Sequence, residues 1–193
     1  MKVRNALLCA AFLLACCGPA AAEDCGITGW FLSGSNPNAY LCGLEAVEGQ
    51  PGKSAFLMSK RDSAVGYVTI MQQVSAEMFR GKRVRLTALM RTADARRAAI
   101  FMRVDGPYGK WLRFYNMDDR PVIGTTPWTT YSVVLDVPAN SVDIAMGFLL
   151  SGRGKVWART MNIEVVGNDV PVDRIPTPWW PNFHSFDMPA AHG

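Results

Sequence analysis

Apolar and polar residues alternate along most of this chain with a period of two. The clearest stretch, residues 116–137, contains a turn and then a segment in which Tyr131, Val133, Leu135 and Val137 share one parity. Successive side chains of a strand point to opposite faces, so this pattern predicts one face on a core and one nearer solvent.

Similar segments recur, separated by turn-forming residues. The other predicted strands cover residues 27–32, 39–47, 54–59, 67–74, 83–92, 98–104, 111–115, 142–150 and 156–166. One helical turn is expected at residues 75–79, ended by Gly81. About ten short strands with almost no helix predict an all-β fold, an antiparallel sandwich or barrel.

The last predicted strand carries one expectation and one difficulty. Trp157 is expected to anchor the core near the end of the domain. Arg159 has the same parity as Trp157, and an unpaired buried charge is too costly. Either a bulge turns Arg159 outward, or a carboxylate such as Asp136 or Asp143 pairs with it.

The ends of the chain differ from the middle. Residues 1–22 read as a signal peptide, with Lys2 and Arg4 before an apolar run and a small-residue cleavage site at Ala22. A lipid anchor at Cys16 is the alternative interpretation of this segment. No later run is long enough to be a transmembrane segment.

The predicted β-sandwich domain covers residues 23–166, and an irregular Pro-rich, aromatic C-terminal tail covers residues 167–193. The tail contains Trp179, Trp180 and Phe183, so it is too apolar for a solvated linker. We expect it to lie against the sandwich, and the alternative is that it docks a protein partner or covers a ligand.

Charge argues against nucleic acid as a partner. The formal net charge is +4 and falls to about +2 without the two basic residues of the predicted signal peptide, which is too low for a nucleic-acid-binding charge signature. The cluster of basic residues between positions 80 and 97 is expected to form a solvated strand face. Its members are Arg80, Lys82, Arg83, Arg85, Arg91, Arg96 and Arg97.

Cysteine usage indicates an oxidising compartment. Cys25 and Cys42 are the two cysteines of the predicted mature chain, and we expect a disulfide between them. Such a loop contributes about 3 kcal/mol in the chain-entropy treatment. The expected location is therefore periplasmic or secreted.

Several short motifs resemble one family of sandwiches. They are Gly29-Trp30, Gly52-Lys53-Ser54, Gly81-Lys82-Arg83, Trp128 with Tyr131, and Gly154-Lys155-Val156-Trp157. Together they resemble the galactose-binding-domain-like jelly roll, which includes many carbohydrate-binding modules of secreted bacterial proteins, and also the sandwich attached to some AraC-type regulators. The resemblance implies a jelly-roll fold. Ala158-Arg159-Thr160 replace the acidic pair usual in that family, which puts a structural calcium in doubt.

No catalytic motif, metal site or cofactor is expected. His184 and His192 lie in the tail, where nothing fixes them as ligands. Asp118 and Asp119 are adjacent and read as a solvated turn, whereas a glycosidase needs two carboxyls facing each other across a cleft. A hydrolase acting on envelope polysaccharide is the weakest of the functional alternatives.

Non-catalytic binding of a carbohydrate or other small polar ligand is the favoured hypothesis, because aromatic rings on a concave sheet stack on sugars while polar neighbours bind hydroxyls. A structural or protein-interaction scaffold is the main alternative. The candidate ligand-binding residues are Tyr67, Gln72, Arg103, Tyr108, Trp111, Arg113, Tyr115 and Asn116.

Overall fold

A computed structural model describes residues 25–174, and the fold of these residues is an antiparallel jelly-roll sandwich. The strands are β1 (Phe31–Gly34), β2 (Tyr40–Ala46), β3 (Lys53–Ser59), β4 (Tyr67–Ser75), β5 (Arg83–Asp105), β6 (Trp111–Tyr115), β7 (Val122–Asp136), β8 (Asp143–Ser151) and β9 (Lys155–Val166). Single 3-10 turns lie at Pro37–Ala39, Glu77–Phe79 and Pro107–Gly109. The second of these confirms the helical turn that the sequence predicts.

Strand β5 belongs to both layers of the sandwich. Its residues 97–105 pair with β8 and lie in the first layer, in the order β1–β4–β8–β5–β6. Its residues 83–93 pair with β9 and lie in the second layer, in the order β2–β3–β9–β5–β7. Asp94, at a φ of 47°, stands between the two halves.

The two strands predicted at 83–92 and 98–104 are therefore one strand. The polar residues between them interrupt the apolar alternation and the register with β7 shifts there, but the strand continues because Ala95 still pairs with Gly124 of β7. Both halves supply the core, where Leu86, Met90 and Ile100 are fully buried. Each such side chain contributes about 1.5–3 kcal/mol by its removal from water.

A bulge in β9 exchanges the inward and outward positions. The register with β5 shifts between Thr87 and Leu89, and Thr160 adopts a φ of 53°. Beyond the bulge, Met161 and Ile163 pack against the core. An extra residue in one strand of a pair bends it and reverses which side chains face inward.

The bulge explains the outcome of both sequence-based predictions for this strand, one for Arg159 and one for Trp157. Arg159 points away from the core and donates hydrogen bonds to Gln50 and to the carbonyl of Pro51, so the bulge alternative is confirmed. The prediction that Trp157 anchors the core is wrong. Val156 and Ala158 occupy the core positions, at 0% and 3% exposure, and Trp157 lies between them on the outer face.

Two covalent or polar ties secure the chain ends of the domain. Cys25 and Cys42 form the expected disulfide, with Cα atoms 5.3 Å apart. At the other end, Asp173 exchanges hydrogen bonds with the backbone of Val134 in β7. Val134 has outward parity yet is 5% exposed, because the segment 167–174 lies along this edge of the sheet. The predicted signal peptide, the Cys16 alternative and tail residues 175–193 lie outside the described residues.

Candidate functional site

An elongated groove of about 350 Å³ lies on the outer face of the first layer. It crosses β1, β4, β8, β5 and β6, so residues distant in sequence meet in it. The lining side chains are Ser33, Tyr67, Thr69, Met71, Arg97, Phe101, Arg103, Trp111, Phe114, Asn116, Leu149 and Ser151.

The floor of the groove is apolar and deep. Met71, Phe101 and Leu149 have outward parity but are 7%, 6% and 5% exposed. Gly147 stands in register between Met71 and Phe101. A Cβ at Gly147 would lie 2.1 Å from the carbonyl oxygen of Ile70, so the close approach of β4 and β8 requires glycine there.

Exposed aromatic rings border this floor. Trp111 is 58% exposed and Tyr67 is 44% exposed. The Trp111 ring packs at a tilt against Phe114, with centroids 5.3 Å apart. Large aromatic side chains left open to solvent above an apolar floor are typical of a ligand site.

Arg103 holds Trp111 from one side. Its guanidinium carbon lies 4.8 Å from the Trp111 ring centroid, within cation–π range. Asp105, only 5% exposed, accepts hydrogen bonds from Nε and Nη2 of Arg103 at 2.8 and 2.7 Å. This bidentate pair fixes the guanidinium, and the guanidinium in turn orients the indole.

Two buried polar atoms of the groove have no hydrogen-bond partner. They are Thr69 Oγ1 and Asn116 Oδ1. Leaving a buried donor or acceptor unpaired costs about 1–3 kcal/mol, so such groups call for an explanation. Among the described residues two other buried side-chain atoms are unpaired, in Ser54 and Trp128, and neither residue lines the groove.

Arg97 joins the groove to the turn that follows β6. Its Nη2 donates to the Asn116 carbonyl at 3.1 Å and to the carboxylate of Asp118. The adjacent Asp119 instead accepts a hydrogen bond from the Tyr115 hydroxyl. The two neighbouring carboxylates thus serve different partners and do not face each other across a cleft.

Four of the eight candidate residues from the sequence come together in the groove. They are Tyr67, Arg103, Trp111 and Asn116. Thr69, Arg97 and the floor residues are not among the ligand-binding residues predicted from the sequence. Thr69 and Met71 share the parity of Tyr67, which is the signal that could have found them, whereas the depth of the floor depends on how the sheet curls.

The other four candidates lie elsewhere. Tyr115 is 1% exposed and packs in the core, and this burial, with the hydrogen bond to Asp119, raises the pKa of its hydroxyl to about 12. Gln72 shares the inward parity of Ile70. Tyr108 is fully exposed on the turn between β5 and β6, at a φ of 61°. Arg113 is exposed and donates to the carbonyl of Leu112.

A second cavity, of about 420 Å³, opens between the layers beside Trp30. It is lined mainly by apolar residues such as Ile70 and Phe148, with Arg159 and Lys53 among its few polar residues. Arg159 already donates to Gln50 and Pro51, and no unpaired buried polar atom lines this cavity. The groove is therefore the better candidate site, although its volume is smaller.

The outer face of the second layer also carries a tryptophan among charged groups. The indole nitrogen of Trp157 donates to Glu45 at 2.5 Å, and Lys155 pairs with the same carboxylate at 2.7 Å. Lys155 lies 4.4 and 4.7 Å from the ring centroids of Phe56 and Trp157. We call these four residues the Trp157 cluster.

The Trp157 cluster shifts the pKa of its carboxylate. Partial burial alone would raise the pKa of Glu45, but hydrogen bonds from Lys155 and Trp157 and the charge of Lys155 bring it below its usual value. The indole N–H and the ammonium group of this cluster thus both donate to the Glu45 carboxylate.

The fold of the chain is that of carbohydrate-binding modules. The family 22 carbohydrate-binding module of Clostridium thermocellum Xyn10B superposes with a TM-score of 0.52 at 12% identity, covering 75% of this chain and 90% of that one. The xylan-binding CBM22-1 domain of Paenibacillus barcinonensis Xyn10C gives 0.52 at 10% identity, covering 72% and 86%. The active domain of the bacteriophage CBA120 tailspike protein 4 gives 0.56 at 14% identity, covering 72% and 20%. The jelly-roll fold that the sequence motifs predict is confirmed.

One curated relative is much more similar in sequence. The chain is 40% identical over 153 residues to an uncharacterised HTH-type transcriptional regulator, YbfP of Bacillus subtilis strain 168. The match covers 78% of this chain, and the chain spans about half the length of that relative, 52%. No family model matches the chain.

Proposed function

We propose that this protein is an exported, non-catalytic binding domain that holds a carbohydrate in the groove of the first layer. The observation that carries the proposal is the pair of unpaired buried atoms, Thr69 Oγ1 and Asn116 Oδ1, in the groove that the exposed ring of Trp111 also lines. A sugar offers hydroxyls for the first two and an apolar ring face for the third.

The shape of the groove supports a chain-like ligand. It is open at the surface and crosses five strands, and Tyr67 and Trp111 border it. Rings and not paired carboxylates line it, which favours binding over polysaccharide hydrolysis. The likeness of fold to xylan-binding modules supports the same class of ligand, with the residues of this groove providing the specificity.

Export is part of the proposal. The Cys25–Cys42 disulfide supports an oxidising compartment, as does the predicted signal peptide. No helix within residues 25–174 is long and apolar enough to cross a membrane.

A second candidate function is ligand sensing. The 40% identity to a named transcriptional regulator favours a domain that reports occupancy of its groove to an attached or docked partner. In that case the sandwich would also be a protein-interaction scaffold, and segment 167–174 along β7 would be a natural place for contact. Both candidates require the groove to bind a ligand.

Two exposed tyrosines provide the test. Tyr67 lines the groove, whereas Tyr108 is more exposed and lies outside it. On an array of plant, bacterial and algal glycans, the wild-type protein should bind a defined set, Tyr67→Ala should lose most of the signal, and Tyr108→Ala should keep it. Equal losses in both variants, or no binding by the wild type, would contradict the proposal.

A further inference from the structure

The charged side chains that line the groove are all basic. They are Arg97 and Arg103. A depression of about 410 Å³, separate from the cavity beside Trp30, adjoins the groove. It shares Arg97 and Ser151 with the groove and adds Arg96. A further depression meets this one at Ala64 and is lined by Lys60 and Arg61. No described aspartate or glutamate lines any of the three.

The two arginines of the groove are held differently. The buried carboxylate of Asp105 forms a salt bridge with Arg103 and neutralises the charge of the guanidinium. The role of Arg103 is therefore to position Trp111. Arg97 pairs with Asp118, whose side chain is 56% exposed. An exposed ion pair contributes little, so Asp118 is a partner that a ligand can replace.

Arg97 also keeps donors free. Both of its hydrogen bonds, to Asn116 and Asp118, use Nη2, and Nε and Nη1 donate to no acceptor among residues 25–174. Its side chain is 23% exposed, which shields it partly from water. A ligand carboxylate that displaces Asp118 can accept hydrogen bonds from Nε and Nη2 of Arg97 together, the bidentate geometry in which Arg103 binds Asp105.

These groups together require one ring that carries hydroxyls and a carboxylate. Thr69 Oγ1 and Asn116 Oδ1 lack the partners that hydroxyls supply, the floor beside Phe101 offers a surface for an apolar ring face, and Arg97 offers a cation whose present partner, Asp118, is exposed. Resting on the proposed function, we propose that the groove selects acidic glycans, with a uronic acid carboxylate bound by Arg97. Arg96 and Arg61 extend the basic path for further acidic residues of the same polymer.

Matched pairs of ligands test this selection. Isothermal titration calorimetry would compare oligogalacturonate, oligomannuronate and hyaluronan oligosaccharides, each with its carboxyl methyl ester. We expect at least one acid to bind about 10- to 100-fold more tightly than its ester, as for a hydrogen-bonded charge. Arg97→Gln should remove most of that preference and leave ester binding, and the control Arg91→Gln, beside Trp157 on the other layer, should leave both unchanged.

Salt supplies an independent readout. Raising ionic strength from about 0.01 M to about 1 M shortens the Debye length from about 30 Å to about 3 Å, so acid binding should weaken and ester binding should not. Esters or neutral xylo-oligosaccharides binding as well as acids, or a preference that survives Arg97→Gln, would overturn acidic selection while leaving glycan binding intact. If none of the glycans bound, both the acidic selection and the proposed carbohydrate-binding function would be overturned. Tighter binding of a single-stranded oligonucleotide than of any acid would also reject the inference.

Discussion

The outer faces of the two layers are built from similar residues, but they differ in whether the polar groups beside the tryptophan have hydrogen-bond partners. Each has a tryptophan with an arginine over its ring: Arg103 lies 4.8 Å from Trp111, and Arg91 lies 5.4 Å from Trp157. On the second layer the indole nitrogen donates to Glu45, whose other partner is Lys155. On the first layer the tryptophan is exposed and lines a groove that contains unpaired polar atoms.

The difference separates stability from binding. A polar cluster whose members satisfy one another gains nothing from a ligand, whereas unpaired groups in a groove keep their hydrogen-bonding capacity for one. The Trp157 cluster should therefore matter for folding and the groove for affinity. Four substitutions test this division, in descending order of expected effect.

The largest effect is expected for Trp111→Ala. Loss of a central aromatic contact costs about 2 kcal/mol or more in binding, which is about 30-fold in affinity for the captured glycan. The free energy of unfolding should change by less than about 1 kcal/mol, because the side chain is 58% exposed. Titration calorimetry and urea unfolding measure the two quantities, and a large loss of stability would refute the assignment of Trp111 to ligand binding.

Trp157→Ala should lower the stability of the protein and leave its affinity for the glycan nearly unchanged. Removing a half-buried indole that packs beside Lys155 and bonds Glu45 should lower the free energy of unfolding by about 2 kcal/mol. The affinity of the folded protein for the glycan should stay within about twofold, because Trp157 lies on the other layer. A loss of affinity comparable to that of Trp111→Ala would mean that the two faces are not independent.

Thr69→Val should lower affinity without harming stability. The change keeps the shape but removes an unpaired buried hydroxyl, so the free energy of unfolding should rise or stay unchanged. Loss of one hydrogen bond to the ligand should reduce affinity about fivefold. Ser54→Ala is the matched control, since it also removes an unpaired buried hydroxyl but lies outside the groove, and its affinity should equal that of the wild type.

Glu45→Gln should have the smallest effect and depend on pH. The pKa of Glu45 is lowered by folding, so its contribution to stability is present above its unfolded value of about 4.3 and is lost as pH falls through the folded value. The difference in unfolding free energy between wild type and variant should shrink over that acid range. Glu77→Gln is a suitable control, because Glu77 is in none of the salt bridges of the described residues. A difference that is constant from neutral to acid pH would count against the lowered pKa.

The two tryptophans also show how far the sequence can predict the structure. Alternation gave the strands and the sandwich, since parity follows from backbone geometry alone. It placed Trp157 in the core, because one additional residue at Thr160 reverses parity and a bulge leaves no signal in the apolar pattern. The two strands predicted on either side of Asp94 likewise proved to be one.

The groove was predictable in part for a similar reason. Trp111 and Tyr67 were identified as aromatic residues on strands, and they are exposed. Tyr115 was identified on the same grounds and is buried, because the pairing of β6 with β5 shifts register between Trp111 and Arg113 and so puts Trp111 and Tyr115 on opposite faces. Arg97 was taken for a solvated residue, since only the pairing of β5 with β8 brings it beside Ser151 and the groove.

Strand β5 has a mechanical consequence. The two halves of β5 are hydrogen-bonded to strands of different layers. Neither layer can therefore separate without breaking the backbone hydrogen bonds that β5 makes in the other layer. Amide protons of residues 83–93 and 97–105 should then exchange through a common opening event, and occupancy of the groove should slow exchange even on the remote layer. A ligand bound to one face would in this way stabilise the entire domain against opening.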